Sequence, residues 1–245
     1  MSLRGGHYPV KRISVLYNRQ HAAELRRSAL PGVSSPDMAD DDWLRSHDWN
    51  PLQAAHFEAK LARSRRKAYH LLFRSGSLSE SSEPASRAAG RTLAERVLRD
   101  FPDDLPSVAE AHELVARAFA EAGEVEAAMH HYRQSLAAHA RFEKGHAYHG
   151  NPALDLTELL LNTDDPTQLR EAAKVLATLT PNEGEAFLLV EDGFRHALLS
   201  ARVAARLCKP LECAKFAAHV LTFEDAGSLE LSEELRNELR RLATA

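Results

Sequence analysis

Three features of the sequence predict an all-α chain. Ala, Leu, Arg and Glu dominate, and Ile13 is the only isoleucine, so residues that favour strands are scarce. Between the turn-forming residues, apolar side chains recur every three or four positions, the period of an amphipathic helix. The stretch from Ala109 to Ala140 reads as two such helices joined at Gly123, with no cost for a positive φ at the join. At 245 residues the chain is long enough to bury a sizeable core.

Residues 1 to 50 are expected to form a partly disordered tail and acidic linker. Gly5, Gly6, Pro9, Pro31, Gly32 and Pro36 punctuate it, and a basic stretch from Lys11 to Arg27 holds one short helical pattern around Ala22 and Leu25. The acidic run from Asp37 to Asp42 lacks the alternation and glycine of a calcium loop, so a solvated linker is expected. Trp43 and Trp49 are expected to anchor it onto the first hairpin.

From residue 51 to 245 the pattern is helical. One long helix is predicted from Pro51 to Arg74, capped by Asn50, with Phe57, Leu61, Ala68 and Leu72 on its apolar face. Its other face is basic: Lys60, Arg63, Arg65, Arg66, Lys67 and Arg74. Ser75 to Pro84 reads as a flexible loop, and a helix follows from Ala85 to Phe101, stopped at Pro102. After the central hairpin, helices are predicted from Ala153 to Asn162 and from about Pro166 to Leu179. The core there is assigned to Leu156, Leu159, Leu160, Ala172, Ala173, Leu176 and Leu179. A fourth hairpin runs from Glu185 to Leu207 and back from Leu211 to Phe223, with Ala214, Ala217, Ala218 and Leu221 inward. A last amphipathic helix begins at Ser228 and buries Leu231, Leu235, Leu239 and Leu242. Cys208 and Cys213 are read as small core residues.

The central hairpin resembles a tetratricopeptide repeat. Val115, Ala116, Phe119, Gly123, Ala128, Tyr132 and Ser135 fall at that family's large, small, aromatic, turn, small, aromatic and small positions. An ordinary hairpin of a helical bundle is the alternative. The resemblance implies a fold of stacked antiparallel hairpins, a TPR-like α-solenoid with a C-terminal capping helix. It also implies a non-catalytic scaffold or adaptor whose groove is lined by the first helix of each hairpin. In the matching repeat the groove positions are Glu110, Glu113, Arg117, Ala120 and Glu121. Glutamates there imply a protein or peptide partner that is basic or of mixed charge.

No Gly-rich phosphate loop, His-Glu-x-x-His pair or Gly-x-Ser-x-Gly elbow occurs, so no catalytic residue, metal ligand or cofactor is assigned. Two other readings remain open. His130, His131, His139, Glu143, His146 and His149 have spacings at which a helix can share one metal ion, which makes a metal-binding protein or enzyme one alternative. The basic run from Lys60 to Arg74 makes a regulatory or RNA-contacting domain the other, although a formal charge of −4 gives no global attraction to nucleic acid. No apolar run is long enough for a signal peptide or a membrane span, so a soluble cytoplasmic protein is expected.

Overall fold

A computed structural model describes residues 42–141, 152–179, 190–225 and 230–244. The expectations for the tail and acidic run before Asp42, and for Glu143, His146, His149, Glu185 and Ser228, lie outside the described residues. The described secondary structure is entirely helical. In chain order it comprises α1 (Asp42–Arg45), α2 (Pro51–Arg63), α3 (Lys67–Ser79), α4 (Pro84–Asp100), α5 (Leu105–Glu121), α6 (Val125–His139), α7 (Pro152–Leu161), α8 (Pro166–Thr178), α9 (Val190–Arg206), α10 (Pro210–Asp225) and α11 (Glu233–Ala243). None of these helices is long and apolar enough to cross a membrane.

Side-chain caps set four of the described helix starts, those of α2, α5, α8 and α11. Asn50 accepts the Gln53 amide at 3.0 Å while its own amide donates to Oε1 of Gln53 at 2.9 Å, a capping box in front of Pro51. Asp104 caps α5 and Asp165 caps α8, each followed by a proline or leucine-proline first turn. Gly123, at φ +78°, closes α5, and the Glu124 amide reaches back to the Phe119 carbonyl at 2.9 Å. Cys208 performs the same closure on α9 at φ +55°, where the Lys209 amide donates to the Ala204 carbonyl. That residue is therefore exposed, not part of the core as expected; Cys213 is buried.

The chain departs from the sequence expectation in four further places. The helix expected from Pro51 to Arg74 is broken at Ser64, whose ψ is 143° and whose hydroxyl takes the Arg66 amide at 2.9 Å. This local bond competes with the helical one, and it interrupts a run of neighbouring cations that a continuous helix would stack on itself. The serine-rich stretch expected as a loop is helical as far as Ser79. Its hydroxyls turn inward onto carbonyls, Ser77 to Phe73, Ser79 to Gly76, and buried Ser75 across to Gly90 at 2.7 Å. Ala218 is exposed, and Cys213, Ala217 and Val220 form the inner face of α10 instead. The last helix is capped by Ser232, so Leu231, expected within it, precedes it.

Packing is sequential. Within hairpins, α3 packs on α4, α5 on α6, α7 on α8 and α9 on α10; between them, α4 meets α5, α6 meets α7, and α8 meets α9. The first helices also touch, α3 with α5 and α7 with α9. One apolar cluster runs across α5 to α9 through Ala116, Met129, Tyr132, Leu154, Leu156, Leu160, Ala172, Leu176, Leu199 and Val203. A second joins α9, α10 and α11 through Phe194, Ala197, Ala201, Ala217, Val220, Leu231 and Leu239. Gly90 permits a close approach of α4 to α3, because a Cβ there would lie 2.9 Å from the Ser75 carbonyl oxygen and 3.1 Å from Leu78 Cβ.

Candidate functional site: a charged face on α5, α7 and α9

Small, buried residues set the spacing of the central hairpin. Val115, Ala116 and Ala128 are inaccessible, Tyr132 is almost so, and the Ser135 hydroxyl donates to the Ala109 carbonyl at 2.8 Å. Phe119, at the first of the two aromatic repeat positions, is not fully buried. It is half-buried, stacked on the His131 ring with centroids 5.4 Å apart, under the Arg91 guanidinium at 4.5 Å.

This hairpin holds Glu113 and Arg117 one turn apart on α5, where Arg117 Nη2 donates to Glu113 Oε1 at 2.6 Å. From α6, Tyr132 Oη reaches Asp155 Oδ2 of α7 at 3.3 Å. From α9, Arg195 Nη2 donates to Asp155 Oδ1 at 2.7 Å and to Glu158 Oε1 at 2.8 Å. Asp155 is thus the hub between a tyrosine and an arginine brought from two other helices. The periodicity that puts Asp155 and Glu158 on one face of α7, three residues apart, is visible in the sequence; their meeting with Arg195 is not.

The electrostatics follow from burial. Glu113 is 6 % exposed, and desolvation pushes its pKa from 4.5 up to about 7 against the pull of Arg117; Asp155 and Glu110 add to the rise. For Arg117 burial works against the charge, but the carboxylates of Glu113 and then Asp155 more than offset it and raise its pKa. Arg195 is likewise held charged: burial opposes, and Glu158 and Asp155 prevail. Burial raises the pKa of Asp192, one turn before Arg195, with Arg195 pulling the other way. Desolvation and then the Asp155 charge keep the Tyr132 phenol protonated.

Of the five positions expected to line a groove, Glu110 and Glu121 are exposed, Arg117 and Ala120 are half-buried, and Glu113 is buried. Glu113 is therefore not an accessible contact: its carboxylate serves the pair with Arg117 beneath the surface. Asp155, Glu158, Asp192 and Arg195 were not anticipated at all. No family model, curated protein or solved structure matches this chain. The site is accordingly read from its own chemistry.

No three His, Cys, Asp or Glu residues are grouped to hold a metal ion among the described residues. Of the histidine series, His139 ends α6, and His131 leaves it to face His112, the two Nδ1 atoms 3.0 Å apart. Only one of those nitrogens can carry the proton, and burial followed by the charges of His131 and His130 lowers the His112 pKa to about 4. The basic series is also divided. Lys60 and Arg63 lie on α2, and Arg65 and Arg66 on the link between helices. Arg74 is buried, its guanidinium donating to the carbonyls of Leu44, Ser46 and Asp48 and lying 5.2 Å from the Trp49 ring. Trp49 in turn meets Phe57 edge-on at 5.7 Å, which gives it the anchoring role expected of it.

Proposed function

We propose that this chain is a TPR-like α-solenoid with α11 as its cap, acting as a non-catalytic scaffold that holds a basic or mixed-charge peptide segment along the first helices of its hairpins. The observation that carries this reading is the charged face contributed by α5, α7 and α9, in which carboxylates outnumber cations. Glu110, Glu121, Asp155, Glu158 and Asp192 stand with Arg117 and Arg195. The sequential packing of hairpins, in which α5 reaches α7 through α6 and α7 touches α9, supports a face shared by these helices. The ion pairs among Asp155, Glu158 and Arg195 hold the carboxylates in place before a ligand arrives, which lowers the ordering cost of binding.

A test uses an array of short peptides varied in Lys and Arg content, read by affinity at two ionic strengths. Glu110→Lys with Glu121→Lys changes the exposed ends of the α5 line and leaves the Glu113–Arg117 hydrogen bond in place. Peptides rich in Lys and Arg are expected to bind the parent chain and to lose about tenfold or more, ~1.4 kcal/mol, on the double variant, with a larger loss at low salt. Equal affinities for the two folded proteins would remove this face as the binding surface.

A further inference from the structure

A second charged feature lies among α3, α4 and α5 and is opposite in sign. The start of α3, the end of α4 and the start of α5 enclose an open cleft of about 290 Å³ lined by Arg65, Arg66, Lys67, Ala68, Tyr69, Phe101, Asp104 and Ser107. Three consecutive cations face it, all exposed, and among the described residues no carboxylate forms an ion pair with any of them. Asp104 is the one carboxylate in the lining. It is engaged in capping α5, taking the Ser107 hydroxyl at 2.7 Å and the Ser107 amide at 3.4 Å. Arg66 lies over the Tyr69 ring at 4.2 Å, so its guanidinium is held beside the cleft instead of sweeping through solvent. No side chain caps the first turn of α3, as none caps α4 or α6.

We propose that this cleft binds a phosphorylated side chain of a partner protein. Three cations against one carboxylate leave an excess that suits a group carrying about −1.5 to −2 charges, as a phosphomonoester does near neutral pH. The Arg65 and Arg66 forks and the Lys67 ammonium supply more donors than a single carboxylate accepts. A nucleotide fits less well. The exposed Tyr69 ring already has the Arg66 guanidinium over one face, where a base would have to displace it. A long polyanion fits less well still, because only one short cationic run faces the cleft and the chain carries a formal charge of −4. This inference does not rest on the peptide face of α5, α7 and α9.

The test is a titration of the full isotope-labelled chain with N-acetyl-phosphoserine amide, followed by amide chemical shifts. Capped serine, capped glutamate, adenosine monophosphate and a short oligo-deoxythymidine serve as comparison probes. Phosphoserine is expected to bind with a dissociation constant on the order of 1 mM and to shift the amides of Lys67, Ala68 and Tyr69. Arg65→Ala with Arg66→Ala should weaken it by about tenfold, and Lys67→Ala alone by several-fold, with circular dichroism as the folding control. Glu110→Lys with Glu121→Lys should leave it unchanged, which separates failure here from failure of the peptide-face reading. Equal binding of capped glutamate would reduce the cleft to a generic cationic patch. Tighter binding of the mononucleotide or the oligonucleotide, or no shift at the start of α3, would overturn the proposal.

Discussion

Glu113 offers the sharpest check on the electrostatics of the charged face. In the native state its pKa is raised from 4.5 to about 7, chiefly because burial penalises the ionised form. Between those two values the folded protein binds more protons than the unfolded chain, so this residue's contribution to stability is largest below pH 4.5 and is lost as pH rises through 7. Two and a half pKa units at ~1.4 kcal/mol each set an upper figure of about 3 kcal/mol. Replacing Glu113 with Gln keeps the shape and removes the titration, at the cost of one charge-assisted bond from a half-exposed Arg117, about 1 kcal/mol. The variant should therefore be slightly less stable than the parent at pH 4.5 and more stable by about 2 kcal/mol at pH 8. Urea unfolding of both proteins across this range measures the difference directly. A difference that stays constant with pH would refute the assignment of a protonated, desolvated carboxyl to this position.

Three further outcomes follow from packing and hydrogen bonding. Gly90→Ala should destabilise by about 1–3 kcal/mol despite the better helix propensity of alanine, because the new Cβ meets the Ser75 carbonyl and Ser79 amide of a packed neighbour. Gly76→Ala, with open space around the new methyl, should instead stabilise by roughly 0.5–1 kcal/mol, and thermal unfolding of the pair separates the two cases. Arg74→Met should cost about 3 kcal/mol or more, since it strips donors from the carbonyls of Leu44, Ser46 and Asp48. Release of that segment is expected to red-shift tryptophan emission through Trp49; an unchanged spectrum and midpoint would mean that the clamp does not hold it.

What the sequence determined by itself is local. Apolar spacing, Asn50 with Pro51, Gly123, and Asp165 with Pro166 specify where helices start, stop and turn, since a cap or a positive φ is decided by a few neighbouring residues. The inward line of the central hairpin, Val115, Ala116, Ala128 and Tyr132, was legible for the same reason: helical period alone places those residues on one face. Composition misled where a polar residue had a local partner, as in the serines of α3, whose hydroxyls satisfy themselves on helix carbonyls and leave Leu71, Leu72 and Leu78 to be buried. The candidate site was legible only in part. Glu110, Glu113, Arg117 and Glu121 follow from one helix, but the burial that changes Glu113 comes from its neighbours. Asp155 and Arg195 lie forty residues apart, and no periodicity announces that α7 and α9 will bring them to 2.7 Å. Only the tertiary structure decided which charges are solvated and which are desolvated and paired, because that depends on which helices pack together and not on the order of residues within any one of them.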